Sequence, residues 1–120
     1  MDEKRLFALR GAAQCLNEKD DIRKQVSGLY DELLSRNDLA EIDIVSIIFS
    51  VTGDLDALNP ATALRNGGAA LDTALFVTRE PDFHNSLERV IRVLIHCYLR
   101  KNTTPVNIYR NGAEVLRPER

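Results

Sequence analysis

No segment of this sequence approaches the roughly eighteen consecutive apolar residues that a membrane-spanning helix needs. The opening MDEKRLFALRGAA carries charges without the apolar run of a secretory signal, so a cytoplasmic location is expected. Cysteine is nearly absent: Cys15 and Cys97 are too few and too far apart for a disulfide framework or a zinc site, which predicts reduced, structural thiols and no metal. There is no tryptophan and no excess of positive charge. Sixteen Lys and Arg stand against eighteen Asp and Glu, a net charge of −2, so the chain lacks the electrostatic footprint of a nucleic-acid binder. Glycine is sparse, and the pair Gly67–Gly68 stands without the rest of a phosphate-binding loop. There is no internal repeat. The 120 residues are read as one domain, 1–120, large enough to bury about two-thirds of the surface of the unfolded chain.

What is present reads as strands and helices in mixed order. Arg5 to Arg10 alternates enough for a first strand ending at Gly11, after which Asn17 and Asp20 or Asp21 supply the cap and first-turn acids of a helix. Ile22, Val26, Leu29, Tyr30, Leu33 and Leu34 form a single apolar stripe at helical spacing, and Asn37 and Asp38 end it. Ile42 to Val51 is dense in β-branched residues, a strand with Val45, Ile47, Phe49 and Val51 on one face and Ser46 and Ser50 on a wetter one. Asn59 before Pro60 starts a short helix that stops at Gly67–Gly68. Leu71 to Thr78 predicts a third strand with Glu80 just past its end, and Leu87 to Leu99 contains a fourth. VNIYR and AEVLR flank Asn111–Gly112, a two-residue hairpin signal that would set Tyr109 opposite Glu114. The sum is an α+β domain: a mixed sheet of about five strands covered on one face by one long and one short helix.

Within this frame Arg92 is out of place. It interrupts VIRVLIHCYL, the most apolar stretch of the chain, where alternation puts Ile91, Val93, Ile95, Cys97 and Leu99 on one face and Val90, Arg92, Leu94, His96 and Tyr98 on the other. Arg10 and Arg117 likewise close apolar segments. Any one of them is accounted for by an ion pair with a carboxylate of the protein itself. Together they point to an anionic ligand, because the planar guanidinium matches carboxylates bidentately and several such groups suit a small dianion. His96 reads as a structural hydrogen-bonder and His84 as exposed.

Taken in order, LRGA at Leu9 to Ala12, DLDALNPATALR at Asp54 to Arg65, REP around Glu80, VIRVLIH at Val90 to His96 and IYRNGAEVLRPE near the end resemble the monofunctional chorismate mutases of the Bacillus type. Each motif is weak alone; the ordered set, from about Leu6 to Pro118, is specific. The resemblance implies an α+β domain assembled as a trimeric pseudo-barrel with active sites between neighbouring subunits. It implies the Claisen rearrangement of chorismate to prephenate, on the route to phenylalanine and tyrosine, with no cofactor and no covalent intermediate. By the same resemblance Arg92 donates to the ether oxygen as the C–O bond breaks, and Arg10 and Tyr109 bind the side-chain carboxylate. Glu80 accepts from the ring hydroxyl and faces the positive end of the forming dipole. Arg65 and Arg117 gather substrate at the cleft mouth, while Leu116 and Ala61 line the pocket.

Three positions depart from the family pattern. Asn59 replaces the usual phenylalanine, Thr62 a lysine, and Val77 a cysteine or serine that would hydrogen-bond the ring hydroxyl. A lost neutral hydrogen bond is worth only about 0.5–1.5 kcal/mol, which lowers efficiency without abolishing it. Asn59 and Val77 leave open an alternative, a catalytically weak or silent trimeric homologue that binds a small dicarboxylate. An amino-acid-binding regulatory domain ranks below both, since glycine-rich recognition loops are missing.

Overall fold

The computed structural model describes residues 3–118. Strand β1 (Lys4–Gln14) is followed by helix α1 (Lys19–Arg36), a 3₁₀ turn (Glu41–Asp43), β2 (Ile44–Val51), α2 (Pro60–Asn66), β3 (Ala74–Arg79), β4 (Val90–Arg100), β5 (Ile108–Arg110) and a second 3₁₀ turn (Ala113–Leu116). The strands form one sheet in the order β3-β2-β4-β1-β5. β4 runs antiparallel to both β1 and β2, whereas β3 and β5 pair in parallel at the two edges. This is the expected mixed sheet with one long and one short helix.

Both helices lie on one face. Ile22, Val26, Leu29 and Leu33 of α1 are buried against Leu9, Ile47, Phe49, Ile91, Ile95 and Cys97, the odd-numbered residues of β1, β2 and β4. Alternation therefore delivers the even-numbered residues to the opposite face, which no helix covers. A second, smaller apolar cluster of Ala12, Val90, Tyr109 and Ala113, with Leu87 and Leu116 packed on it, closes one end of that open face.

β1 does not end at Gly11 as the sequence suggests. It continues to Gln14, and Gly11 serves close packing: a Cβ there would meet Leu29 Cδ1 at 3.0 Å and the Ile108 carbonyl oxygen at 3.1 Å. Nor does Asn17 cap α1, whose N-cap is Glu18 with no side-chain cap bond. The Asn17 amide oxygen instead accepts from the backbone N–H groups of Asp56 and Ala57, and Asp21 accepts from Leu16 N–H. Asp20 and Asp21 do fall in the first turn, where negative charge suits the helix dipole. At the other end Asn37 clamps the chain before β5, exchanging hydrogen bonds with the backbone of Val106 in both directions.

β2 begins two residues later than expected, and Val45 is exposed instead of buried. Ile44 pairs with Cys97 and Ser46 with His96, so Val45 is an extra residue in a bulge and Ile44 takes the buried place. β3 starts at Ala74 and β4 at Val90, each three residues inside the expected span. The hairpin at Asn111–Gly112 does not form. Both residues adopt the positive φ that such a turn requires. The chain then enters a 3₁₀ turn, because Glu114 folds back to accept from Gly112 N–H at 2.7 Å and Ala113 is buried beside Ala12, Val90 and Tyr109. Glu114 therefore does not face Tyr109, and β5 pairs with β1 alone.

Candidate active site

The open face of the sheet carries the charge. Arg92 on β4 has Ser50 of β2 as its register partner on one side and Ala12 of β1 on the other, so small neighbours leave room for its side chain. Glu80 leaves the end of β3 with its N–H still donating to the Val51 carbonyl at 2.7 Å, which turns the side chain toward β4. Arg92 Nε lies 3.0 Å from Glu80 Oε2, and Ser50 Oγ donates to Glu80 Oε1 at 2.7 Å. The ion pair that the sequence offered as an alternative to ligand binding thus exists. Its contact is through Nε; the terminal nitrogens of Arg92 make no hydrogen bond among the described residues, and the side chain is 44% exposed.

Arg10 stands on β1 opposite Leu94, two residues along from the Ala12–Arg92 pairing. Its backbone N–H is held by Asn107 Oδ1 at 2.8 Å, while its guanidinium has no partner among the described residues. It borders a concavity of about 250 Å³ together with Ile48, Ser50, Arg92 and Leu94. It also borders a groove of about 650 Å³ that holds Asn107, Tyr109 and Arg117. The Tyr109 ring is buried in the small cluster with Leu116 against it, and the Arg117 guanidinium carbon is 5.6 Å from the ring centroid, within cation–π range. Arg10 therefore borders both the concavity that holds Arg92 and the groove that holds Tyr109 and Arg117, while Glu80 is tied to the first through Arg92 and Ser50, and Leu116 to the second through Tyr109.

The sequence of residues 6–120 matches the family model described as chorismate mutase type I. The chain belongs to that family. Among solved structures it is similar to the chorismate mutase from Clostridium thermocellum, Cth-682, with 42% sequence identity and a TM-score of 0.82 over 91% of this chain and 98% of that one. No curated protein matches. The activity is accordingly that of a chorismate mutase, an isomerase of aromatic amino acid biosynthesis that rearranges chorismate to prephenate. A silent binding homologue is not favoured.

The other four expected residues lie elsewhere on the chorismate mutase chain. Val77 points to the helix-covered face, opposite in alternation to Glu80, and packs on the main core with Ala61. Arg65 donates to the Thr73 carbonyl at 2.9 Å. The Asn59 amide oxygen caps α2, accepting from Ala61 N–H at 2.8 Å and Thr62 N–H at 3.4 Å. The substitution of the family's phenylalanine thus has a local use in starting the helix. His96 exchanges a 3.1 Å hydrogen bond with Ser46, and His84 is exposed, as expected. Both cysteines are buried free thiols, and burial pushes each up to about 11, away from reactivity. No helix among the described residues is long and apolar enough to cross a membrane.

Sequence reasoning missed Asn107 and the use of Ser50. For Ser50 a signal was present, since it shares the polar face of β2. Only the register with β4 shows that it abuts Arg92.

Proposed function

We propose that the chain, residues 1–120 as one domain, works in the cytoplasm as a closed homotrimer whose active sites lie between subunits, with Arg92 and Glu80 at the reacting atoms. The observation that carries the site assignment is the Glu80–Arg92 pair beside the unpaired guanidinium of Arg10. Chorismate is a dianion that must coil before its bond-forming carbons meet, and its rearrangement separates charge. A rigid site helps by holding that conformer and by aiming donors at the oxygen where negative charge gathers. Arg92 keeps terminal nitrogens for the ether oxygen, and Glu80 faces the opposite end of the developing dipole and the ring hydroxyl. Arg10 and Tyr109 hold the side-chain carboxylate, and Arg117 waits at the rim of the groove.

Two features support assembly. The concavity at Arg92 is small, about 250 Å³, below the roughly 300–1,000 Å³ usual for small-molecule sites. The uncovered sheet face meanwhile exposes Leu6, Phe76 and Tyr98, with Leu6 and Tyr98 paired directly across strands. A neighbouring subunit covers this apolar face and brings its own Asn59, Ala61, Arg65 and Val77 to the cleft. Sedimentation equilibrium at micromolar concentration is expected to show a species of three chains. A monomer that still converts chorismate at full rate overturns the assembly.

Arg10 tests the ground-state half of the reading, because it holds a charge present in both substrate and transition state. Removing one hydrogen bond to a charged group costs about 1.5–3 kcal/mol, so Arg10→Ala is expected to raise KM about tenfold to a hundredfold, followed by the loss of chorismate absorbance. An unchanged KM rules out Arg10 as a carboxylate anchor.

A further inference from the structure

We infer that Ser50 is a positioning residue for Glu80, and that its hydroxyl keeps the terminal nitrogens of Arg92 available to substrate. This rests on the proposed roles of Glu80 and Arg92. A carboxylate next to a guanidinium tends to close into a two-pronged pair, each oxygen taking one N–H. Such a pair would use the edge of Arg92 that substrate needs. Here the carboxylate is split: Oε2 meets Arg92 Nε at 3.0 Å, and Oε1 is drawn aside by Ser50 Oγ at 2.7 Å. Ser50 is placed for this by register, as the β2 residue directly across from Arg92, and it borders the same concavity as Arg10 and Arg92. Glu80, in contrast, stands one residue past the end of an edge strand, where its own backbone fixes only the N–H. Without the serine donor nothing else among the described residues holds Oε1.

The test is a double-mutant cycle on the assembled enzyme, read by steady-state kinetics with chorismate. Ser50→Ala is expected to lower kcat/KM about tenfold to a hundredfold, the value of a hydrogen bond to a charged group. Its division between kcat and KM should repeat, at smaller size, that of Glu80→Ala. In the Glu80→Ala background the same Ser50→Ala change should cost nothing further, because the group it positions is gone. Ser50→Thr keeps the donor on a strand that accepts β-branched residues and should restore most of the activity. Ser50→Cys, close in volume but a weak donor, should not, and it serves if the alanine variant fails to fold. An equal loss from Ser50→Ala in both backgrounds means that Ser50 acts on substrate or on packing directly, and overturns the inference. So does wild-type activity for Ser50→Cys and Ser50→Ala alike. If Glu80→Ala itself leaves turnover intact, the assignment of Glu80 falls first; if Glu80→Ala is damaging and the serine variants are not, only the inference about Ser50 falls.

Discussion

Arg92→Ala is expected to lower kcat by about 10² to 10³, the range for deleting one preorganised donor from a site where charge develops. The charge that Arg92 meets exists fully only as the C–O bond breaks, so the loss should appear chiefly in kcat, with KM moved less than by Arg10→Ala. The fold should survive. Arg92 lies on the uncovered face with its side chain 44% exposed, flanked by Ser50 and Ala12. A surface ion pair of that exposure contributes only about 0–1 kcal/mol to stability. Circular dichroism and sedimentation of the variant should therefore match the parent while turnover collapses. Near-normal turnover by a folded Arg92→Ala protein would remove the basis of the site assignment, because no other cationic side chain among the described residues pairs with Glu80.

Phe49→Ala should do the opposite, costing about 3–5 kcal/mol of stability while leaving the chemistry of the folded fraction unaltered. Phe49 is among the largest fully buried side chains, sits opposite Val93 on one side and Val77 on the other, and faces the helices. Its chain neighbour Ser50 faces the site. Adjacent residues of one strand thus serve the core and the proposed site separately. Since small domains have only about 5–15 kcal/mol in total, the urea midpoint at fixed protein concentration should fall sharply. KM measured below the transition should hold. A loss under about 1 kcal/mol would mean that the site collapses around the deleted ring far better than packed cores usually do.

Periodicity made most of the fold legible. The α1 stripe, the alternation around Arg92, the Asn59–Pro60 start and Glu80 after β3 all follow from spacing, which is local. What periodicity missed was decided by partners distant in sequence. Gly11 looked like a stop because glycine usually is one; only α1 above it shows that the missing Cβ admits Leu29. Asn111–Gly112 has the conformation its residues prefer, yet the buried Ala113 converts the return strand into a turn. Val45 obeys the alternation in sequence, and the bulge breaks it because Ile44 competes for the same buried place. For the proposed site, the ordered motifs supplied Arg10, Glu80, Arg92 and Tyr109 as candidates. They could not supply the division of the Glu80 carboxylate between Ser50 and Arg92, which depends on the register of two strands.

The pairing of β1 with β4 joins Lys4 to Arg100 and Gln14 to Val90, and so places the beginning of the chain against its last long strand. Contacts of such high sequence separation form slowly, since loop-closure entropy is lost before they reward it. During synthesis β1, α1, β2 and β3 all emerge before β4, so β1 and β2 have no strand between them until β4 leaves the ribosome. Arg10 is therefore translated long before the strand that carries Arg92. The central strand is thus translated after both of its neighbours, and the sheet cannot join β1 to β2 before β4 is made.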